Sequence, residues 1–140
     1  MKKLTVVLLV MLLLGSVVFA TGKSEAKSDV KEVVIGVFQP LTGENGGGGY
    51  QEVLGTRYAN KVYPTVQING ETYKVRLVEA DNKSDKTEAV TAAQSLISSG
   101  ASVIIGSYGS GVSIAAGDIF LDNKIPAIGA SCTNPPSYPE

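Results

Sequence analysis

Ala101-Ser102-Val103-Ile104-Ile105-Gly106-Ser107-Tyr108-Gly109-Ser110-Gly111 is the stretch that decides the fold. A short apolar run, Val103-Ile104-Ile105, gives way to glycine and serine, and helix-patterned residues follow from Ser113 to Asp122. Short apolar runs bounded by turn signals suit strands buried on both faces. A strand that passes through a glycine-rich turn into a helix is the unit from which parallel α/β sheets are built.

The same alternation extends in both directions. Downstream, Pro126-Ala127-Ile128-Gly129-Ala130 reads as a further strand. Upstream, Asp85 to Ser99 reads as a helix. Asp85 can cap its first turn with Glu88 three residues on, Ala89, Ala93, Leu96 and Ile97 form an apolar stripe, and Gly100 is a stop. Before it, Tyr73 to Ala80 alternates as a strand, and Asn69-Gly70 marks a tight hairpin turn at its start. Val33 to Phe38 reads as the first strand and Gln39 to Gly49 as a loop loosened by the glycines 46–49. Tyr50 to Tyr63 then reads as a helix whose Leu54, Tyr58 and Val62 share a face, ended by Pro64. The order is β-α-β-α-β-α-β with an inserted hairpin. It implies a parallel sheet with helices on both faces. Ligands of such sheets bind beyond the carboxyl ends of the strands. Four loops fall there: Gln39 to Gly49, Asp81 to Ser84, Gly106 to Gly111, and Ser131 to Asn134.

The remaining sequence excludes several classes. The chain has 140 residues, enough for one domain. Residues 1–20 carry Lys2 and Lys3, an apolar run from Leu4 to Leu14, and Val18-Phe19-Ala20, the order of a secretory signal cleaved after Ala20. The apolar run is shorter than the ~20 residues a spanning helix needs, so no stable membrane insertion is expected after cleavage. Residues 21–32 read as a polar linker and 33–140 as a ligand-binding unit. The net charge of −1 and the scattered basic residues give no nucleic-acid patch. There is one Cys, Cys132, and no His. That removes an internal disulfide, His-based metal sites, and the Ser-His and Cys-His catalytic pairs. The glycines at 106, 109 and 111 do not follow the G-x-G-x-x-G dinucleotide spacing, no phosphate-binding G-x-x-x-x-G-K-[ST] occurs, and no nucleophile elbow is present. The chain is read as a non-enzyme without a cofactor.

Two loops carry candidate chemistry. The turn through Gly109 and Ser110 opens a helix, where unpaired N–H groups and partial positive charge suit a carboxylate or phosphate. The alternative is that Ser110 is only a helix cap. In Ser131-Cys132-Thr133-Asn134-Pro135-Pro136, the Thr133 hydroxyl can both donate to and accept from a small zwitterion. The alternative there is a plain turn, which Asn-Pro favours in any protein. Cys132 reads as a small buried filler rather than a reactive thiol.

Taken together these segments resemble the periplasmic leucine/isoleucine/valine-binding proteins. The matching residues are Ile35-Gly36-Val37 with Pro40-Leu41-Thr42-Gly43, Asp81 to Asp85 with its helix, Val103-Ile104-Ile105-Gly106 with Gly117-Asp118-Ile119-Phe120, and Ile125-Pro126-Ala127-Ile128 with Thr133-Asn134-Pro135. The resemblance implies an incomplete three-layer α/β lobe of a type I periplasmic binding protein. It implies capture of an amino acid, foremost a branched-chain one, for the permease of an ABC transporter in the periplasm. It assigns Ser110 to the ligand carboxylate, Thr133 to carboxylate and ammonium, and the Ser131 carbonyl to the ammonium. The family's first-loop aromatic falls on Gly48, which implies either that Tyr50 supplies the ring instead or that the pocket is more open. No acidic partner for the ammonium is identified in this chain; in the family that acid comes from the second lobe. Family members are much longer. A sensor domain of the same fold, or a binder of amides, urea or aromatic acids, is the competing reading. N-terminal sequencing of the exported protein should begin at Thr21, and an intact Met1 in a membrane fraction would contradict the leader.

Overall fold

The structure, a computed structural model, describes residues 31–134. The expected leader and the linker up to residue 30 lie outside these residues. The elements are β1 (Glu32–Gln39), α1 (Gly46–Val62), β2 (Thr65–Ile68), β3 (Glu71–Asp81), α2 (Lys86–Ser98), β4 (Val103–Ile105), α3 (Ser110–Asp122) and β5 (Ala127–Ile128). They form one sheet in the order β2-β3-β1-β4-β5. The apolar β1 is central. It pairs in parallel with β3, from Glu32↔Lys74 to Gln39↔Asp81, and with β4, from Ile35↔Val103 to Val37↔Ile105. β5 continues the parallel set, while β2 turns back antiparallel at the edge. That hairpin turns at Asn69 and Gly70, with φ of 52° and 80°, the paired positive values a two-residue turn requires.

Helices α2 and α3 cover one face. Val34, Phe38 and Ile104 of the sheet meet Ala89, Ala93 and Leu96 of α2 and Val112, Ala116 and Phe120 of α3 in one cluster. The Phe38 and Phe120 rings meet edge to face, centroids 5.6 Å apart at 84°. Asp85 caps α2 as its sequence position implies, accepting from the N–H groups of Thr87 and Glu88.

The first helix corrects the sequence reading twice. The glycine run is the first turn of α1, not loop, so the helix begins at Gly46 rather than Tyr50. Gly49 lies so close to Pro40 that an added Cβ would sit 2.1 Å from its carbonyl oxygen; the absent side chain lets α1 approach the end of β1. The apolar stripe also faces the wrong way. Leu54, Tyr58 and Val62 are exposed, and the buried or half-buried residues of this helix include Gly46, Gly49, Val53, Thr56 and Asn60. Small size, not hydrophobic periodicity, selects the inner face of this helix. Beside it, Val33, Ile35, Val75, Leu77 and Val103 line an apolar groove of about 430 Å³, so the sheet face under α1 is only partly covered.

The carboxyl edge of the sheet is stitched by side chains. Asp81 Oδ1 accepts from the N–H groups of Leu41 at 2.8 Å, Thr42 at 3.3 Å and Lys83 at 2.8 Å, and its Oδ2 accepts from Thr42 Oγ1 at 2.6 Å. Buried Asn82 donates to buried Ser107 at 2.9 Å, joining the end of β3 to the loop after β4. Partial burial pushes the Asp81 pKa up. The Thr42 hydroxyl and the three N–H groups outweigh that and hold it below the ordinary 3.8. A carboxyl with a lowered folded pKa contributes stability that is fully present above the ordinary value and is lost as pH falls through the lowered one. Asp81→Ala should therefore cost ~1–3 kcal/mol of unfolding free energy at neutral pH. In denaturant titrations the gap between parent and variant should narrow as the pH is taken below the ordinary carboxylate range; a gap independent of pH would contradict this account.

Candidate functional site

Parallel pairing brings the ends of β1, β3, β4 and β5 to one edge, and a cleft of about 250 Å³ opens there. Asn45 at the start of α1, Tyr108, Gly109 and Ser110 between β4 and α3, and Ser131 and Thr133 after β5 line it. The fold thus brings together Ser110, Gly109, Ser131 and Thr133. Tyr50 does not join them: it lies on α1, 46% exposed, outside the cleft's lining. The ring at the cleft is Tyr108. A Cβ added at Gly48 would fall 2.5 Å from that ring, so the glycine in the first turn of α1 makes room for the tyrosine of the β4–α3 loop. The departure of Gly48 from an aromatic and the presence of Tyr108 are one packing arrangement.

The Ser110 hydroxyl is not a helix cap. The N-cap of α3 is Gly109, in extended backbone at φ 165°, and no side chain caps this helix. Ser110 is the first helical residue, and its Oγ accepts from the N–H groups of Thr133 and Asn134, both at 3.2 Å. It ties the loop after β5 to the start of α3. The helix offers its first N–H groups without an intrahelical acceptor and with no acidic residue in its first turn. Nearby, Ser113 donates to the Gly109 carbonyl at 3.0 Å and fixes the turn from within the helix. Gly106 sets the approach of this loop. Its φ is +129°, and an added Cβ would meet the Phe38 carbonyl oxygen at 2.0 Å, so only glycine lets the loop cross the end of β1.

A second set of bonds lies beneath the cleft, and sequence reasoning missed it. Gln39, the last residue of β1, is fully buried. Its Oε1 accepts from the Tyr108 N–H at 2.8 Å, and its Nε2 donates to Glu52 Oε2 at 2.5 Å. The Ser131 hydroxyl donates to Glu52 Oε1. An acid therefore stands one hydroxyl behind Ser131 within this chain, although it does not itself line the cleft. It was hidden because Glu52 is a half-buried helical residue lying 79 positions from Ser131. Cys132, between the two cleft residues of its loop, is a half-buried free thiol. Among the described residues no group of His, Cys, Asp and Glu is arranged to hold a metal ion.

An open α/β sheet with a small polar cleft at its carboxyl edge, lined by a helix N-terminus and by hydroxyls, has the geometry at which ligands of such sheets bind. Residues 32–139 match the periplasmic binding protein family, and the chain belongs to it. It is 33% identical over 105 residues to the Leu/Ile/Val-binding protein homolog 1 of Brucella abortus, a match covering 74% of this chain and 28% of that protein. Among solved structures it resembles the leucine-binding protein LivK of Thermotoga maritima, with a TM-score of 0.68 and 34% identity over 75% of this chain and 29% of that one. It also resembles LivJ of Streptococcus pneumoniae in complex with isoleucine, with a TM-score of 0.67 and 25% identity over 76% of this chain and 31% of that one. A solute-binding protein from R. palustris in complex with benzoate aligns with a TM-score of 0.61 and 25% identity, over 72% of this chain and 28% of its own. The chain spans less than a third of the length of these relatives.

Proposed function

We propose that this chain is the amino-terminal ligand-binding part of an extracytoplasmic solute-binding protein that captures amino acids, branched-chain ones foremost, for the permease of an ABC transporter. The observation that carries the reading is the Ser110 hydroxyl. Both of its lone-pair directions are taken by the Thr133 and Asn134 N–H groups, which leaves its O–H to donate beside the uncapped start of α3. Donors clustered at a helix N-terminus suit a ligand carboxylate. Thr133 and Ser131 line the same cleft and add the hydroxyls and carbonyls that an α-ammonium group needs. The leucine- and isoleucine-binding relatives support the ligand class.

In this reading the chain is exported, residues 1–20 serving as the leader, and it captures its ligand outside the cytoplasm. Among the described residues no helix is long and apolar enough to cross a membrane. A second reading, an aromatic carboxylic acid, is favoured by the Tyr108 ring in the cleft and by the benzoate-bound relative.

The cleft is open, and charge pairing in contact with water is weak. A closing second lobe would supply the missing contacts in a longer protein. Isothermal titration of residues 21–140 should therefore give dissociation constants of roughly 1 mM or weaker for leucine, isoleucine and valine. Ser110→Ala should abolish the measurable heat. Micromolar affinity would show that one lobe suffices, and binding of benzoate with none of the three amino acids would favour the second reading.

A further inference from the structure

Tyr108 offers the cleft's floor a backbone N–H, which can only donate, and that single fact fixes the polarity of a chain of bonds. Gln39 must turn its Oε1 toward Tyr108, which it does at 2.8 Å, so its Nε2 faces Glu52. A carboxylate can only accept. Glu52 accepts from Gln39 on one oxygen and from the Ser131 hydroxyl on the other. The Ser131 hydrogen is thereby committed beneath the cleft, and its lone pairs remain for whatever occupies the cleft that Ser131 lines. Ser110 is set the opposite way. Its lone pairs are committed to the Thr133 and Asn134 N–H groups, and its hydrogen remains.

We propose that Glu52, acting through Ser131, sorts ligands by whether they carry an ammonium group. This rests on the amino-acid reading above and adds the residue that enforces it. At Ser110 the cleft donates and suits a carboxylate. At Ser131 it accepts, with the Glu52 charge one hydroxyl away. No ion pair among the described residues neutralises that charge; the neighbouring cation on α1, Arg57, is held by Glu79 at 2.6 Å. An α-ammonium group satisfies the Ser131 lone pairs and gains from the charge behind them. An oxo group in its place sets lone pair against lone pair.

The substitution Glu52→Gln makes a sharp test because the Tyr108 N–H still dictates the order. The introduced amide must present its oxygen to Gln39 Nε2, so its NH2 faces Ser131 and reverses that hydroxyl. Ser131 then donates into the cleft. Leucine and 4-methyl-2-oxovalerate share a carboxylate and a carbon skeleton and differ in ammonium against oxo. Titrated calorimetrically into the parent chain, leucine should bind about tenfold tighter than the oxo acid, the worth of one hydrogen bond to a charged group. In Glu52→Gln the preference should fall to about one, with the oxo acid binding better than in the parent. In Ser131→Ala the preference should be lost without that gain. Hydrogen exchange at the Tyr108 amide should be unchanged by Glu52→Gln, because the bond to Gln39 persists.

A parent chain that binds neither acid would sink the amino-acid reading and this inference with it. A parent that prefers leucine while both variants keep the preference would overturn the Glu52 assignment alone. Loss of Tyr108 protection, with both ligands weakened equally in Glu52→Gln, would assign Glu52 a purely structural role and overturn it too.

Discussion

The parallel pairing of β1 with β3 on one side and β4 on the other is the constraint from which the site follows. Parallel strands must all end at the same edge, so the loops after β1, β3, β4 and β5 converge although they are far apart in sequence. The edge is also where polar backbone and side chains enter the interior. Gln39 ends β1 with its amide fully buried, and a buried amide left unpaired costs ~1–3 kcal/mol. Its partners, the Tyr108 N–H and the Glu52 carboxylate, come from the β4–α3 loop and from α1. Satisfying one buried side chain therefore fixes two of the elements that border the cleft.

The remaining loops are held by the same kind of link. Asp81 gathers the loop after β1 onto the end of β3, Asn82 joins β3 to Ser107, and Ser110 gathers the loop after β5 onto α3. None of these bonds lies within a helix or a strand ladder. The apolar cluster of Phe38, Leu96, Ile104 and Phe120 holds the layers together, and the polar links decide where the loops stand above it. A cleft organised in this way is positioned before a ligand arrives, which lowers the ordering cost of binding.

Much of this was legible in the sequence. Val103-Ile104-Ile105 and Val33 to Phe38 announce buried parallel strands, Asn69-Gly70 announces the hairpin, and Asp85 with its alanine stripe announces α2. The convergence of Ser110 and Thr133 follows once the strand order is read. Helix α1 was less legible. Glycine has a poor helix propensity, yet the glycines at 46–49 are helical, and the missing side chains of Gly48 and Gly49 let the helix seat against Tyr108 and Pro40. Tertiary packing overrode local preference there, and it also turned the Leu54, Tyr58 and Val62 stripe outward. The link from Ser131 through Glu52 to Gln39 was invisible for a different reason. It depends on side-chain contacts between segments with no shared periodicity, and nothing in the spacing of a lone glutamate on a helix signals them.

The central claim is that ligand enters at the carboxyl edge set by β1, between the loops that Ser110 and Glu52 hold. Two-dimensional amide spectra of the chain recorded with increasing leucine test it most directly. The account predicts that shift changes concentrate at Tyr108, Gly109 and Ser110 and at Ser131 to Asn134, and leave Thr65 to Ile68 and Tyr63 beside the apolar groove unmoved. Changes centred on that groove, with the Ser110 and Thr133 amides still, would contradict it.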